Sequence, residues 1–264
     1  MTSVIEKTDA ALSAVIQSHS FISTLTYFES ISSTNAYALD ACQVGKIKPG
    51  ALVIADHQQA GKGRFQNSWE SNPGEDILMS LVLEPHCSPD HWARISFPLG
   101  IAVRNALKKI LNQHVSIELK WPNDILVGGH KCVGMLHAAD VSTGCVILGI
   151  GINVNQESQL IDRTSLKMVS GKALNRWRVL NEILTAIGTQ LDSILSSTID
   201  ADAWNAHAAY LGKPVQVLDQ ALITGEFRGI DPHGAALIQT SDGIKRTLVG
   251  ANLRLIDGSI ENRQ

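Results

Sequence analysis

The sequence predicts an α+β fold in which helices flank a mixed β-sheet and a small β-barrel follows at the C-terminus. Continuous apolar runs such as Ala51 to Ala55 predict buried strands. Apolar residues recur at helical spacing between Asn175 and Ser197, which predicts a helix packed on the sheet. After Gly212 the pattern changes to short β-runs separated by turn residues. We therefore predict two domains, residues 1–211 and 212–264.

Composition supports a globular protein that binds small ligands or protein partners. The chain has 264 residues, of which 44% are hydrophobic and 18% charged, enough to bury a substantial core. Its formal net charge of -3 argues against a strongly electrostatic nucleic-acid binder, although a local basic cleft remains compatible with it.

Cysteine and histidine spacing argues against disulfide scaffolds and zinc sites. The four cysteines form no Cys-x-x-Cys pair, and no signal peptide or long apolar span is apparent. We therefore expect a cytoplasmic protein with reduced thiols and no membrane contact. The nine histidines lack metal-ligand spacing, so we predict no resident metal site built from them.

The first half of the chain opens with a mildly amphipathic run at 10–16 and then predicts three strands and two helices. In order, these are a strand at 23–28, a helix from Ser32 or Ser33 to Val44, strands at 51–55 and 77–83, and a helix from Ser88 to Ile110. Serine favours the first position of a helix because its hydroxyl accepts from a free backbone N–H. Pro98 is expected to kink or split the last helix.

The second half predicts strands around a candidate site, then helices, then the barrel. The strands are expected at 117–120, 125–127, 131–137 and 145–153, with a Gly128-Gly129 turn between the second and third. Helices are expected at 175–197 and 201–210, and barrel strands at 215–218, 225–230, 235–239 and 246–249.

A glycine-rich loop with two cations follows the strand at 51–55. In the run from Gln58 to Ser68, Gly61 and Gly63 alternate with Lys62 and Arg64. Glycines let backbone N–H groups approach a ligand closely, and the two cations suit carboxylate or phosphate oxygens. The loop lacks the Gly-Lys-Ser/Thr ending of a P-loop. The alternative is an exposed hairpin with two solvated cations.

The second motif is Lys120-Trp121-Pro122-Asn123-Asp124. Proline restricts its own backbone and that of Trp121, so Asn123 and Asp124 are presented in a fixed orientation. A carboxylate beside an amide suits Mg²⁺ bound to a triphosphate. The alternative for Asp124 is a turn or helix-cap residue.

Five stretches resemble, in the same order, the biotin protein ligase family. They are Ser33-Thr34-Asn35, Gln58 to Arg64, Lys120 to Asp124, Lys131 to Leu136, and Gly149 to Asn153. The resemblance runs from about Phe28 to the C-terminus, and it implies a catalytic domain followed by an SH3-like barrel. Too few residues precede Phe28 for the family's N-terminal DNA-binding unit, which needs roughly sixty, so we expect neither DNA binding nor repressor activity.

The resemblance also implies a two-step reaction. Biotin's carboxylate attacks the α-phosphate of ATP in the presence of Mg²⁺, and a lysine of a carrier domain then attacks the resulting biotinyl-5′-AMP. The biotin carboxyl carrier protein of acetyl-CoA carboxylase is the expected partner. Sheet-edge association in the family makes a homodimer a further expectation.

The resemblance assigns roles to particular residues. The biotin site would comprise Ser33, Thr34, Gln58, Gly61, Lys62, Arg64, Lys131, Gly134, Leu136 and Gly149. The nucleotide site would comprise Lys120, Trp121, Asn123, Asp124 and Asn153. Lys62, Arg64, Asp124 and Lys131 would serve catalysis. Hydroxyls and an amide suit the donors and acceptor of the ureido ring. The alternatives are helix capping for Ser33 and Thr34 and a solvated side chain for Lys131.

The chain departs from the family in its glycine loop. Lys62 stands where relatives carry arginine, and Phe65-Gln66-Asn67 replaces two cations and a glycine. Lysine lacks the planar fork of arginine, so weaker retention of the adenylate or weaker loop closure is expected. Two other hypotheses follow: a lipoate or octanoate ligase or transferase, and a biotin-binding protein without turnover. The Lys120 to Asp124 motif favours biotin.

Overall fold

A computed structural model describes residues 10–111, 113–157, 162–218, 221–247 and 251–256. Seven α-helices lie within these residues: α1 (Ala10–Gln17), α2 (Thr34–Gln43), α3 (Ser96–Ile110), α4 (Leu166–Ser170), α5 (Arg176–Thr189), α6 (Leu191–Leu195) and α7 (Ala201–Asn205). Short 3₁₀ helices occupy Arg64–Gln66 and Pro89–Ile95. No helix in the described part of the chain is long and apolar enough to cross a membrane.

Seven strands form a mixed sheet that carries the fold. They are β1 (Thr24–Ile31), β2 (Ala51–Gln58), β3 (Ile77–Leu83), β4 (Ile117–Lys120), β5 (Asp124–Val127), β6 (His130–Asp140) and β7 (Cys145–Ile152). Their spatial order is β1-β2-β3-β7-β6-β5-β4. β1 and β2 are parallel, whereas every other neighbouring pair is antiparallel. The predicted mixed sheet with flanking helices is therefore confirmed.

The sheet is covered on both faces, which explains the continuous apolar runs. Leu52 and Ile54 of β2 join the large core with α3 and α5, whereas Val53 and Ala55 join a smaller core under α2. Because successive side chains of a strand point to opposite faces, a strand covered on both faces has no polar side. Residues of β3 are buried throughout.

A second, antiparallel sheet follows. It contains β8 (Pro214–Leu218), β9 (Leu222–Ile230), β10 (Ala236–Thr240), β11 (Gly243–Thr247) and β12 (Asn252–Leu255) in the order β11-β10-β9-β8-β12. This small sheet packs against the first, because Trp121 is buried and its Nε1 donates to the carbonyl of Gly234 at 3.0 Å. The arrangement agrees with the predicted SH3-like barrel.

Several predicted boundaries differ from the structure. The helix predicted at 175–197 is interrupted at Gln190, where α5 ends and α6 begins. The helix from Ser88 begins instead as a 3₁₀ turn, and α3 starts at Ser96. Pro98 thus lies in the first turn of α3, where its missing N–H has no helical partner to lose. The strand predicted at 246–249 is found at Gly243–Thr247, and residues 248–250 lie outside the described residues.

Candidate active site

An open cavity of about 800 Å³ lies where the glycine loop, the centre of the sheet and the small domain meet. Its wall includes the start of α2, the loop after β2, the β4–β5 turn and the middle of β6 and β7. Tyr210, Arg254 and Leu255 add to the wall from the C-terminal part of the chain. The predicted motifs are therefore brought to one place by the sheet.

One wall of the cavity carries uncharged hydrogen-bonding groups. Ser33 caps α2, since its Oγ accepts from Ala36 N at 3.4 Å. Thr34 donates from its backbone N at 2.8 Å and from its Oγ1 at 3.0 Å to the same oxygen, Gln58 Oε1. These two bonds fix the orientation of the Gln58 amide. Ser33 both caps α2 and lies on the cavity wall.

A second layer supports this neutral wall. Ser80 Oγ lies 2.8 Å from Thr34 Oγ1 and 2.6 Å from Asn35 Oδ1, and Asn35 Nδ2 donates to Leu136 O at 3.0 Å. A Cβ added at Gly149 would lie 2.5 Å from the Asn35 amide, so only glycine permits this approach. The neutral wall is therefore preorganised by its own hydrogen bonds.

The glycine loop is a closed hairpin. Gly63 N donates to Asn67 O at 2.7 Å and Trp69 N donates to Gly61 O at 2.9 Å. Phe65 occupies the left-handed region at φ 54°, and its side chain is 58% exposed. The alternative prediction for this loop was an exposed hairpin with two solvated cations. The loop is a hairpin, but Lys62 and Arg64 both line the cavity.

Arg64 connects the loop to two other parts of the chain. Its guanidinium donates to Asn123 Oδ1 at 3.3 Å and to Ala251 O, next to β12, at 2.8 Å. Burial lowers the pKa of Arg64 from its ordinary value, while the nearby Asp124 carboxylate opposes that shift. Asn123 is itself held to β6, since its Nδ2 donates to Met135 O and its carbonyl accepts from Met135 N at 2.9 Å.

Another part of the cavity wall is charged. Lys131 Nζ lies 2.7 Å from Asp124 Oδ1, and Lys120 Nζ lies 3.9 Å from Asp124 Oδ2. The Asp124 side chain is only 15% exposed. Burial is the main cause that lowers the pKa of Lys120, with Asp124 opposing it. Two lysines thus share one carboxylate, which leaves positive charge to attract an anion.

Trp69 lies across the middle of the cavity wall. A Cβ added at Gly134 or Gly151 would lie 2.5 Å from its ring, and Lys131 Nζ lies 5.5 Å from the ring centroid. The indole Nε1 is buried without a hydrogen-bond partner among the described residues. The two glycines therefore let an aromatic ring pack flat against the sheet beside Lys131.

Comparison with known proteins identifies the family. Residues 27–155 match the Biotin/lipoate A/B protein ligase family, and residues 210–251 match the Biotin protein ligase C terminal domain. The protein "Bifunctional ligase/repressor BirA" of Bacillus spizizenii is 33% identical over 234 residues, which cover 84% of this chain and 71% of that protein. The chain belongs to the biotin protein ligase family.

Further relatives and structures agree. A "Biotin--[acetyl-CoA-carboxylase] ligase" of Paracoccus denitrificans is 31% identical over 229 residues, covering 80% of this chain and 92% of the relative. The structure of the Aquifex aeolicus biotin protein ligase in complex with biotin and ATP superposes with a TM-score of 0.77 at 29% identity. The superposition covers 89% of this chain and 100% of the Aquifex chain. Membership of the biotin protein ligases, predicted from the motifs, is thus confirmed.

Most residues that the resemblance assigned to the site of this ligase line the cavity. They are Ser33, Thr34, Gln58, Lys62, Arg64, Lys120, Trp121, Asn123, Asp124, Lys131, Gly134, Leu136 and Gly149. Gly61 lies in the hairpin but not on the wall. Asn153 is 1% exposed and its Nδ2 donates to Thr164 O at 2.9 Å. Direct contact of the Asn153 side chain with a nucleotide is not supported by this placement, because the side chain is buried away from the cavity.

Trp69, Tyr210 and Arg254 are among the residues that line the cavity but were not predicted from the sequence. A tryptophan five residues after Arg64, in an otherwise polar segment, was a signal that could have been used. Arg254 stands in a short barrel strand with no local motif. Only the packing of the second sheet against the first brings it to the cavity.

Proposed function

We propose that the protein activates biotin with ATP to biotinyl-5′-AMP and transfers the biotinyl group to a lysine of a carrier protein. The observation that carries this proposal is the contrast between the two walls of one cavity. A neutral wall suits an uncharged ring with donors and an acceptor, and a cationic wall suits phosphates and a carboxylate. Family membership supports the same reaction.

Ser33, Thr34 and Gln58 are proposed to bind the ureido head of biotin. Their mutual hydrogen bonds fix the positions of the polar atoms, so little ordering remains for the ligand to impose. The tail would pass along Gly134, Leu136 and Gly149, where small or apolar surface allows close approach, with Gly61 as part of the covering loop. The carboxylate would then reach Lys131.

Lys131 and Arg64 are proposed to align the reacting anions, with Lys62 and Lys120 adding positive charge. A carboxylate oxygen of biotin forms a bond to the α-phosphorus of ATP, and the bond from that phosphorus to the pyrophosphate oxygen breaks. The reaction needs no covalent enzyme nucleophile, so catalysis rests on positioning and on stabilising charge at the phosphoryl group.

In the second step an amine of the carrier lysine attacks the acyl carbon of the mixed anhydride, and AMP leaves. The amine must be neutral to attack, so one proton is lost from the ammonium. Closure of the glycine loop over the adenylate would keep water from the same carbon. The exposed Phe65 lies at the tip of that loop, where a carrier can approach.

Mg²⁺ is proposed to enter with ATP. Mg²⁺ takes one or two carboxylates together with phosphate oxygens and waters. Asp124 and Asp162 both line the cavity, so the chain offers suitable carboxylates on the cationic wall. Asn123 and the buried Trp121 are proposed to position Asp124 for the nucleotide. When bound, Mg²⁺ would neutralise charge on the phosphates.

The finer assignments rest on position in the chain and on the family. The boundary at 211/212 is supported by Ala209, whose N donates to Leu119 O of β4, and by Gly212, whose N donates to Phe227 O of β9. We propose the biotin carboxyl carrier protein of acetyl-CoA carboxylase as the acceptor. A cytoplasmic location, a homodimer and the absence of DNA binding and repressor activity stay predictions.

Incubation with Mg-ATP and either biotin, lipoate or octanoate tests the proposal. Mass spectrometry should detect biotinyl-5′-AMP, and an added biotin carboxyl carrier domain should gain one biotinyl group. If lipoate or octanoate forms an adenylate and biotin does not, that acid rather than biotin is the substrate. Biotin binding without any adenylate would leave a binding protein and contradict the enzymatic proposal.

A further inference from the structure

Three buried polar side chains lie in a row behind the cavity. Extending the ladder of β3, β7 and β6 by one position beyond Ile152 aligns Asp76, Asn153 and Cys132. Asp76 and Cys132 are 0% exposed and Asn153 is 1% exposed. Because residues at paired positions of neighbouring strands point to the same face, Asn153 stands between the other two.

Two oxygen atoms in this row have no partner among the described residues: Asp76 Oδ2 and Asn153 Oδ1. The remaining polar atoms are used, since Asp76 Oδ1 accepts from Val154 N at 2.8 Å and Asn153 Nδ2 donates to Thr164 O at 2.9 Å. If the carboxyl were ionised, two buried acceptors at paired positions of neighbouring strands would each lack a hydrogen-bond partner. Such an arrangement is rarely tolerated in a folded protein.

No cation neutralises Asp76 within the described structure. Arg176 Nη1 donates to the backbone carbonyl of Asp76 at 3.1 Å, but its carboxylate partner is Asp56, at 2.8 Å. Burial raises the pKa of Asp76 to about 7, although the backbone amides of Val154 and Gln156 oppose the shift. Burial is the main cause that raises the pKa of the Cys132 thiol, and the ionised form of Asp76 would add to it, so the two groups lie near each other.

We propose that Asp76 is a neutral carboxylic acid whose Oδ2–H donates to Asn153 Oδ1, and that this bond makes Asp76 a positioning residue for Lys131. One proton satisfies both unpaired oxygens. It also explains why a carboxyl group lies at a fully buried position without a positive partner.

Asn153 transmits this contact to the cavity. Its backbone N donates to Cys132 O at 2.9 Å, and its side chain holds Thr164. Thr164 N in turn donates to Lys131 O, and Lys131 N donates to Asp162 O, both at 2.9 Å. Fixing the Asn153 amide therefore fixes the backbone on both sides of Lys131. This consequence for catalysis rests on the proposed function.

Replacing Asp76 by asparagine and by leucine tests the proposal. Asparagine keeps an acceptor for Val154 N and supplies an N–H for Asn153 Oδ1, so D76N should match the wild type in adenylate formation. D76L leaves Val154 N without an acceptor and Asn153 Oδ1 without a donor, so it should raise the KM for ATP by roughly 5- to 30-fold. D56N is the matched control, because Asp56 forms an ion pair with Arg176. Replacing that carboxylate by an amide removes the ion pair and should lower the melting temperature.

Infrared difference spectra between wild type and D76N give a readout independent of activity. A protonated carboxyl band at pH 6 that disappears in D76N is expected. The stability advantage of D76N should grow as pH rises between 3.8 and about 7 and then level off, because only the native aspartate resists ionisation. Glu75, Cys132 and Arg176 are the titratable or charged groups around Asp76, and both proteins keep them.

Two results would overturn the proposal: no protonated carboxyl band, or a D76N variant as impaired as D76L. Either would mean that an ionised Asp76 is held by a buried water or cation. Absence of adenylate in the wild type would instead contradict the proposed function, and the infrared band would still decide the protonation of Asp76. If D76L fails to fold, the activity of D76N and the infrared band of the protonated carboxyl still decide the protonation of Asp76.

Discussion

The two walls of the cavity are held in different ways. The neutral wall is fixed within the sheet and α2, because Thr34, Gln58, Ser80 and Asn35 satisfy one another. The charged wall is held by contacts between distant segments, such as Arg64 with the backbone of Ala251. The hydrogen bonds of the first are complete before a ligand binds, whereas in the second two lysines share the single carboxylate of Asp124. This difference suggests that recognition and activation are separable in this protein.

The largest expected effect is on the charged wall. Lys131→Ala should lower the rate of adenylate formation by about 10²- to 10³-fold, because it removes a donor for charge that develops in the reaction. Quenched mixing with mass spectrometry measures that rate. Lys167→Ala is the control, since Lys167 is a lysine that pairs with the exposed Glu157 outside the cavity wall. Equal losses in both variants would remove Lys131 from the proposed site.

Overfilling the neutral wall should have the next largest effect. A Cβ at Gly149 meets the Asn35 amide at 2.5 Å, so Gly149→Ala must displace Asn35 from Ser80 and Leu136. Overpacking costs about 1–3 kcal/mol, and we expect biotin affinity to fall roughly 10- to 100-fold by calorimetry. Gly100→Ala is the matched control because its Cβ would find ordinary contacts at 3.4 Å and beyond. Unchanged affinity in Gly149→Ala would show that the neutral wall is not preorganised as described.

Removing one hydroxyl should have a smaller effect. Thr34→Val keeps the shape of the side chain but leaves Gln58 Oε1 with one donor fewer. Biotin affinity should fall roughly 5- to 30-fold, while the adenylation rate at saturating biotin stays unchanged. Thr185→Val, in α5, removes only a hydroxyl that donates to Asn181 O and serves as the control. A loss confined to the rate would assign Thr34 to the charged wall instead.

The smallest effect concerns the departure in the glycine loop. Lys62 is exposed and lines the cavity, and Lys62→Arg introduces the planar fork of a guanidinium at this position. Exposed ion pairs contribute only about 0.2–1 kcal/mol, so retention of biotinyl-5′-AMP should improve by less than about fivefold. The dissociation rate of the adenylate measures this. A much larger gain would mean that Lys62 is the main cause of weak adenylate retention by this loop.

Much of the fold could be predicted because local patterns determine it. The strand at 77–83 was predicted to the residue, since all but Ser80 are apolar and both faces are buried. The break at Gln190 was not predicted, because Leu191 and Leu195 continue the same helical periodicity beyond it. Helix α4 was not predicted either, because its five residues are too few to show a helical period.

In the candidate site, too, only residues that belong to local motifs could be predicted. The placement of Ser33 and Gln58 at one cavity could be predicted because both belong to local motifs. Trp69 and Arg254 could not, since their place on the wall depends on the packing of a ring over two glycines and of one sheet against another. The unpaired oxygens of Asp76 and Asn153 arise from strand register, which no local motif reveals.

The most direct test is a crossed measurement on Thr34→Val and Lys131→Ala. Biotin affinity is measured by calorimetry, and adenylate formation at saturating biotin is measured in a single turnover. The account predicts that Thr34→Val loses affinity but keeps its rate, whereas Lys131→Ala loses its rate and changes affinity by less than about tenfold. Parallel losses of affinity and rate in both variants would contradict the separation of the two walls.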